Sequence, residues 1–254
     1  MDFLPFDLSE LLPFIAVGFA AQLVDGALGM AFGVISNTLL VAVLGVPPAL
    51  ASQRVHLVEC FTTATSGISH LLHGNIDKRL FFRLLIPGMI GGVLGAYVLS
   101  SLDAGFVKPF VLLYLSAIGI WLLVRGILYP PKFRDAKYIA PLGLLGGFLD
   151  AAGGGGWGPV VTSNLIVQGE EPRKVIGTVN AVEFFLTMTI SLAFILNLGF
   201  ADLAGATLGL LIGGIAAAPV GAWVAKHFPP KQLLILVGTV LTLTSAYGVW
   251  KAWG

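Results

Sequence analysis

Charge is what this chain has least of. Asp, Glu, Lys and Arg make up 11% of its 254 residues and balance to a net +1, where a soluble domain carries roughly a quarter charged residues. That scarcity excludes an ordinary water-soluble fold. It also leaves no broad basic surface for nucleic acid, because the basic residues sit in short loops where membrane topology already accounts for them. Cysteine is nearly absent. The single Cys60 lies in an apolar run and reads as packing, so neither a disulfide framework nor a cysteine metal site is expected. The N-terminal MDFLPFDLSE lacks the basic start of a cleavable signal peptide, so the first apolar segment is expected to stay as a membrane span. Barrel-like alternation is scarce too. Apolar runs of helix-spanning length recur instead, with 57% hydrophobic residues and a mean hydropathy of +0.93. The composition predicts an all-α integral membrane protein.

One stretch is stated twice. Residues 16 to 33 read AVGFAAQLVDGALGMAFG and residues 141 to 158 read PLGLLGGFLDAAGGGGWG. Superposed, they pair Gly18 with Gly143, Asp25 with Asp150, Ala27 with Ala152, Gly29 with Gly154, Gly33 with Gly158 and Phe32 with Trp157. Each copy is an apolar run, an aspartate, a glycine-rich break and another apolar run, which is the mark of an internal repeat. After a one-residue slip the repeat continues through Gly45 and Gly169, Pro48 and Pro172, Val55 and Val179, Glu59 and Glu183, Phe61 and Phe185, and Thr63 and Thr187.

Hydrophobic segments fall at 11 to 25, 28 to 46, 49 to 72, 80 to 101, 105 to 126, 138 to 151, 156 to 168, 174 to 198, 202 to 225 and 231 to 250. Those flanking the glycine-rich stretches are too short for a straight span and are expected to be broken or re-entrant. With the N-terminus outside and a crossing at every segment, eleven of the 14 basic residues fall inside and only Arg54, Lys108 and Lys251 outside, as the positive-inside rule asks. Re-entrant pairs would preserve that split. The expected organisation is a five-helix repeat over residues 1 to 126, a basic cytoplasmic linker over 127 to 137 (RGILYPPKFRDAK starts two residues earlier), and a C-terminal inverted five-helix repeat over 138 to 254, together one membrane domain. Both termini are predicted outside.

The helix opened by Pro48 carries Ser52, His56, Glu59, Thr63, Ser66 and His70 on one face. Its repeat counterpart presents Asn180, Glu183 and Thr187. Counting about 1.5 Å per residue places Glu59 and Glu183 near the midplane. An ionisable group there costs at least a few kcal/mol and normally faces a cavity, a partner or an ion path. The pair is therefore a candidate for ion coupling, against a bland reading as protonated interhelical glue. The breaks could offer helix N-termini and close backbone approach to a small anion, or serve only for close packing. Candidate substrate-binding residues are Gly29, Gly33, Arg54, His56, Gly154, Gly155, Gly156, Trp157 and Asn180. Arg54 could instead snorkel to the interface, and Trp157 could gate or simply pack. Asp25 and Asp150 read better as caps of the following half-helices than as coupling groups. Gly153, Gly155 and Gly158 match G-x-G-x-x-G, but no strand precedes them, and a dinucleotide site is rejected. His70 and His73 read as interfacial residues rather than a metal pair. No cofactor is expected. The small-residue face GMIGGVLGA, residues 88 to 96, permits close helix contact within a protomer or in a homodimer.

The combination of VDGALGMAFGV, GVPPALASQRVHLVE, HGNID, GGGGWGPVVTSNLI and PRKVIGTVNAVEFF resembles the TauE/SafE sulfite exporter family, with motifs in order in both halves. The resemblance implies a membrane transporter that exports small sulfur-containing anions, such as sulfite, sulfoacetate or related organosulfonates, generally outward across the bacterial cytoplasmic membrane. The residues favour a secondary transporter working by alternating access, surrounded by membrane lipid. An anion channel of the same architecture is the nearest rival, and an intramembrane enzyme using the glutamates or histidines or a structural assembly factor lies further off.

Overall fold

The computed structural model describes residues 8 to 28, 30 to 128, 138 to 168, 172 to 199, 204 to 227 and 229 to 253. Among them there is no strand. The first half contains α1 (Leu8–Leu28), α2 (Phe32–Thr38, prolonged by a π-helical turn Leu39–Val43), α3 (Pro48–Leu72), α4 (Lys78–Ser101) and α5 (Ala104–Ile127). The second contains α6 (Ile139–Gly153), α7 (Ser163–Val167, preceded by a π-helical turn Trp157–Thr162), α8 (Pro172–Leu198), α9 (Ala204–His227) and α10 (Pro230–Trp253). The ten apolar segments read from the sequence coincide with these helices to within a few residues. The expected linker lies outside the described residues from 129 onward.

Among the described residues, Lys78–Ser101, Ala104–Ile127, Lys174–Leu198 and Leu234–Lys251 are long and apolar enough to cross a membrane, with shorter apolar helices beside both breaks. Helix α3 is as long, but its polar stripe lowers its hydropathy. Local chemistry sets several ends. Asp77 accepts hydrogen bonds from the backbone N–H of Arg79 (2.8 Å) and Leu80 (3.0 Å), and Asp103 from that of Phe106 (3.0 Å), so α4 and α5 each start at an N-cap.

The packing pairs are α1 with α9, α4 with α6, α5 with α10, and α3 with α8. Close contacts set their directions. Leu11 and Phe14 meet Gly209 while Gln22 meets Gly214, and Leu84 meets Gly143 while Phe148 meets Gly95, so α1/α9 and α4/α6 run parallel. Leu112 meets Gly248 while Ile235 meets Gly126, and His56 faces Phe194 while Gly67 faces Ala181, so α5/α10 and α3/α8 run antiparallel. Exchanging the first five helices for the last five maps this set of pairs onto itself.

The same contacts show that the short helices turn back. Ala42, at the end of α2, lies against Gly248 beside Leu112, at the end of the bundle where α5 starts and α10 finishes. Ser163 accepts a hydrogen bond from Arg125 near the end of α5 (3.2 Å), where α6 begins. Both breaks are therefore hairpin tips inside the bundle.

The small-residue face of α4 is consumed within the protomer. Gly91 and Gly95 abut the backbone of α6, Gly88 abuts the Trp157 ring, and Gly92 abuts Leu186 and Ile190 of α8. A Cβ at these positions would strike its neighbour, so glycine sets the helix separation.

Candidate functional site

The two glycine-rich tips meet. Helix α6 ends because Gly154 adopts a left-handed conformation (φ 76°) and Gly155 follows at φ 133°. The Gly155 N–H donates back to Asp150 O (2.9 Å), a C-terminal closure of the kind glycine permits. A side chain at Gly155 would run into the backbone of Gly33 and Val34. A Cβ at Gly33 would stand 3.2 Å from Gly155 Cα and 3.1 Å from Glu59 Oε1. The first half's break, the second half's break and Glu59 thus converge on one point.

Each break is closed by its aspartate in the same way. Asp25 Oδ1 accepts from the N–H of Ala31 (2.9 Å) and Phe32 (3.2 Å). Asp150 Oδ1 accepts from the N–H of Gly156 (2.9 Å) and Trp157 (3.0 Å). Both carboxylates reach six and seven residues ahead to cap the returning helix. The N–H groups so engaged are turned to the aspartates. Asp150 has a further partner: its Oδ2 lies 3.2 Å from His56 Nε2, a fully buried ring whose Nδ1 lies 2.7 Å from Ser52 O. Ser52 Oγ donates to Ala151 O (2.9 Å), fastening α3 to the end of α6.

Around the tips lies a cavity of about 250 Å³. Its walls include the carboxylates of Asp25, Glu59, Asp150 and Glu183, the break residues Gly33, Gly155, Gly156 and Gly158, and Asn180. From there it runs past Thr62, Thr63, Ser66 and His70 of α3 and Ile176 of α8, toward the bundle end where α3 finishes and α8 starts. Glu59 is 6% exposed, and neither its carboxylate nor that of Glu183 takes a hydrogen bond from a described residue. Gln22 Oε1, also in the wall, is buried without a partner among the described residues. Among the described residues, no Lys or Arg lines the cavity.

Of the residues expected from sequence, Gly33, Gly155, Gly156, Asn180, Glu59, Glu183, Asp25 and Asp150 come together in this wall. Four others stand back from it. His56 lies behind Asp150. Trp157 is fully buried, its Nε1 donating to Val179 O (3.2 Å). Gly154 packs on Asn37, and Arg54 lies over the ring of Phe14, 6.0 Å from its centroid. Gly29 lies outside the described residues. Sequence reasoning missed Tyr114 of α5, whose hydroxyl donates to Gly155 O (2.8 Å) and whose ring abuts Gly153. An isolated tyrosine in an apolar helix carries no signal for that role. Gln22 could have been found, being polar and one turn before Asp25 on an otherwise apolar helix. His70 bonds Asn75 (3.2 Å), and among the described residues no three His, Cys, Asp or Glu side chains converge to hold a metal ion.

The chain is similar to known proteins over most of its length. The family model described as "Sulfite exporter TauE/SafE" matches residues 14 to 248. A Bacillus subtilis (strain 168) protein named "Probable membrane transporter protein YtnM" is 42% identical over 255 residues, covering 97% of this chain and 85% of the relative. A "Probable membrane transporter protein" of Haemophilus influenzae is 24% identical over 208 residues, covering 78% and 81%. No solved structure gives a significant match.

Proposed function

The chain belongs to the sulfite exporter TauE/SafE family, and from that premise we propose that it is a secondary transporter moving a small sulfur-containing anion, such as sulfite, sulfoacetate or a related organosulfonate, by alternating access. Family and apolar helices together make it a multi-pass membrane transporter; substrate and mechanism are the proposal. One observation carries it. The cavity forms where two re-entrant tips meet, one from each half of a repeated chain, which is where transporters built from inverted repeats place their substrate.

The bundle's charge supports an orientation. Lys78, Arg79, Arg83, Arg125, Lys174 and Lys231 belong to helix ends on one side and Arg54, Lys108 and Lys251 to ends on the other. With the more basic end cytoplasmic, the cavity faces inward, both termini lie outside, and the chain sits in the bacterial cytoplasmic membrane. Glu59 and Glu183 are the ion-coupling groups, and Gly33, Gly155, Gly156 and Asn180 contact the substrate.

Counterflow of labelled sulfite or sulfoacetate into proteoliposomes tests the reading. Saturable exchange is expected, with Glu59→Gln and Glu183→Gln each slowing it at least tenfold. Conductance that never saturates would make the protein a channel, and wild-type rates in both variants would remove the glutamates from the mechanism.

A further inference from the structure

The cavity's hydrogen bonds account for two of its four carboxylates and leave two open. Asp25 is held by two backbone N–H groups. Asp150 is held by two more and by His56. The His56 ring is held at both nitrogens, Nδ1 by Ser52 and Nε2 by Asp150. Glu59 and Glu183 have no such partner among the described residues. They are repeat equivalents, they face the cavity, and Glu59 is 6% exposed.

Among the described residues, an anion entering this space meets no lysine or arginine in the wall, and the capping N–H groups are already engaged. It would instead stand beside the Glu59 and Glu183 carboxylates in a medium of low dielectric, where like charges repel strongly. Something positive must come with it. A proton needs only one carboxylate.

We infer that the anion and protons are bound together: Glu59 and Glu183 each take a proton from the cavity water, and the resulting carboxyl O–H groups donate hydrogen bonds to the oxyanion. On release the protons return to water with the substrate, so anion and protons cross in the same direction. The inference rests on the transport reading and adds the sign of its coupling. The charged or titratable groups facing Glu59 are Asp25 from α1, Asp150 from α6, Glu183 from α8, and Cys60 and His70 from its own helix. Tyr114 of α5 stands behind the glycine tip, and α2 contributes none.

The test uses the full chain in proteoliposomes holding a lumenal pH dye, with membrane potential clamped at zero and sulfoacetate supplied outside, alongside a panel of other small sulfonates. Inward sulfonate flux should acidify the lumen. The apparent KM should fall about tenfold per unit drop in pH for each proton taken up with the anion, as linkage requires. In Glu59→Gln the number of protons moved per anion should fall by half or more. Sulfonate flux with lumenal alkalinisation, or with no pH change and a KM independent of pH, overturns the inference and leaves the transporter standing. No flux of any sulfonate, together with no counterflow of labelled sulfite, overturns the transport reading and this inference with it.

Discussion

His56 shows how much one side chain's role depends on residues far away in sequence. As a polar residue on a helix stripe it looked like a ligand group, because a stripe reports only a face. The structure places it behind Asp150, 94 positions on, where no spacing rule could reach. For the aspartates the sequence favoured capping over ion coupling, and the structure has each accept from two backbone N–H groups of the returning helix. Their partners were not. The geometry separates two substitutions. In Asp150→Asn the amide oxygen can still accept from Gly156 and Trp157, and its NH₂ can donate to a neutral His56 Nε2, so every buried group keeps a partner. Asp150→Ala leaves two N–H groups and an imidazole unpaired, at about 1–3 kcal/mol each. Thermal unfolding in detergent should find Asp150→Asn close to the wild type and Asp150→Ala lower by roughly 3 kcal/mol or more. Equal melting of the two variants would mean that the capping network contributes nothing.

At the scale of elements, the ten segments and the polar face of α3 were readable from hydropathy and period, because burial in lipid demands them. Whether the short segments cross or return was not readable. Re-entrant pairs and full crossings leave the same charge split, and only contacts such as Ala42 with Gly248 decide it. The glycine-rich tips were legible as breaks that cup one site from both halves, but not as two backbones in direct contact. That contact predicts a graded response to alanine. Gly155 sits at φ 133° with Gly33 C 2.7 Å from where a Cβ would be, whereas Gly45 sits at φ 71° with nothing within 4 Å. Gly45→Ala should cost only the left-handed strain, about 1–2 kcal/mol. Gly155→Ala adds a backbone collision between the two tips, so both its melting temperature and its counterflow rate should fall well below those of Gly45→Ala. If the two variants behave alike in both measurements, the tips do not need to touch.

Across the whole molecule the two halves are alike in packing and unlike in what lines their helices. The cavity-facing Thr62, Ser66 and His70 of α3 correspond in the repeat to Leu186, Ile190 and Phe194 of α8, and all three of these are fully buried. A polar path therefore runs from the tips to one end of the bundle, while the equivalent path to the other end is filled. Phe194 stacks near His56, with ring centroids 6.3 Å apart, and Ile190 and Leu186 press on Gly92. An alternating-access protein must open that second path by parting α8 from α3 and α4. The prediction is one of sidedness. In a Cys60→Ser background, Ser66→Cys should react with a membrane-impermeant maleimide applied to the more basic face and not from the opposite face. Ile190→Cys should be inert from both faces at rest and become reactive from the opposite face when saturating sulfonate and its gradient drive turnover. Labelling of Ile190→Cys at rest would mean the second path is already open, as in a channel. Inertness of Ile190→Cys during measured turnover would mean that substrate leaves by a route other than the one the repeat implies.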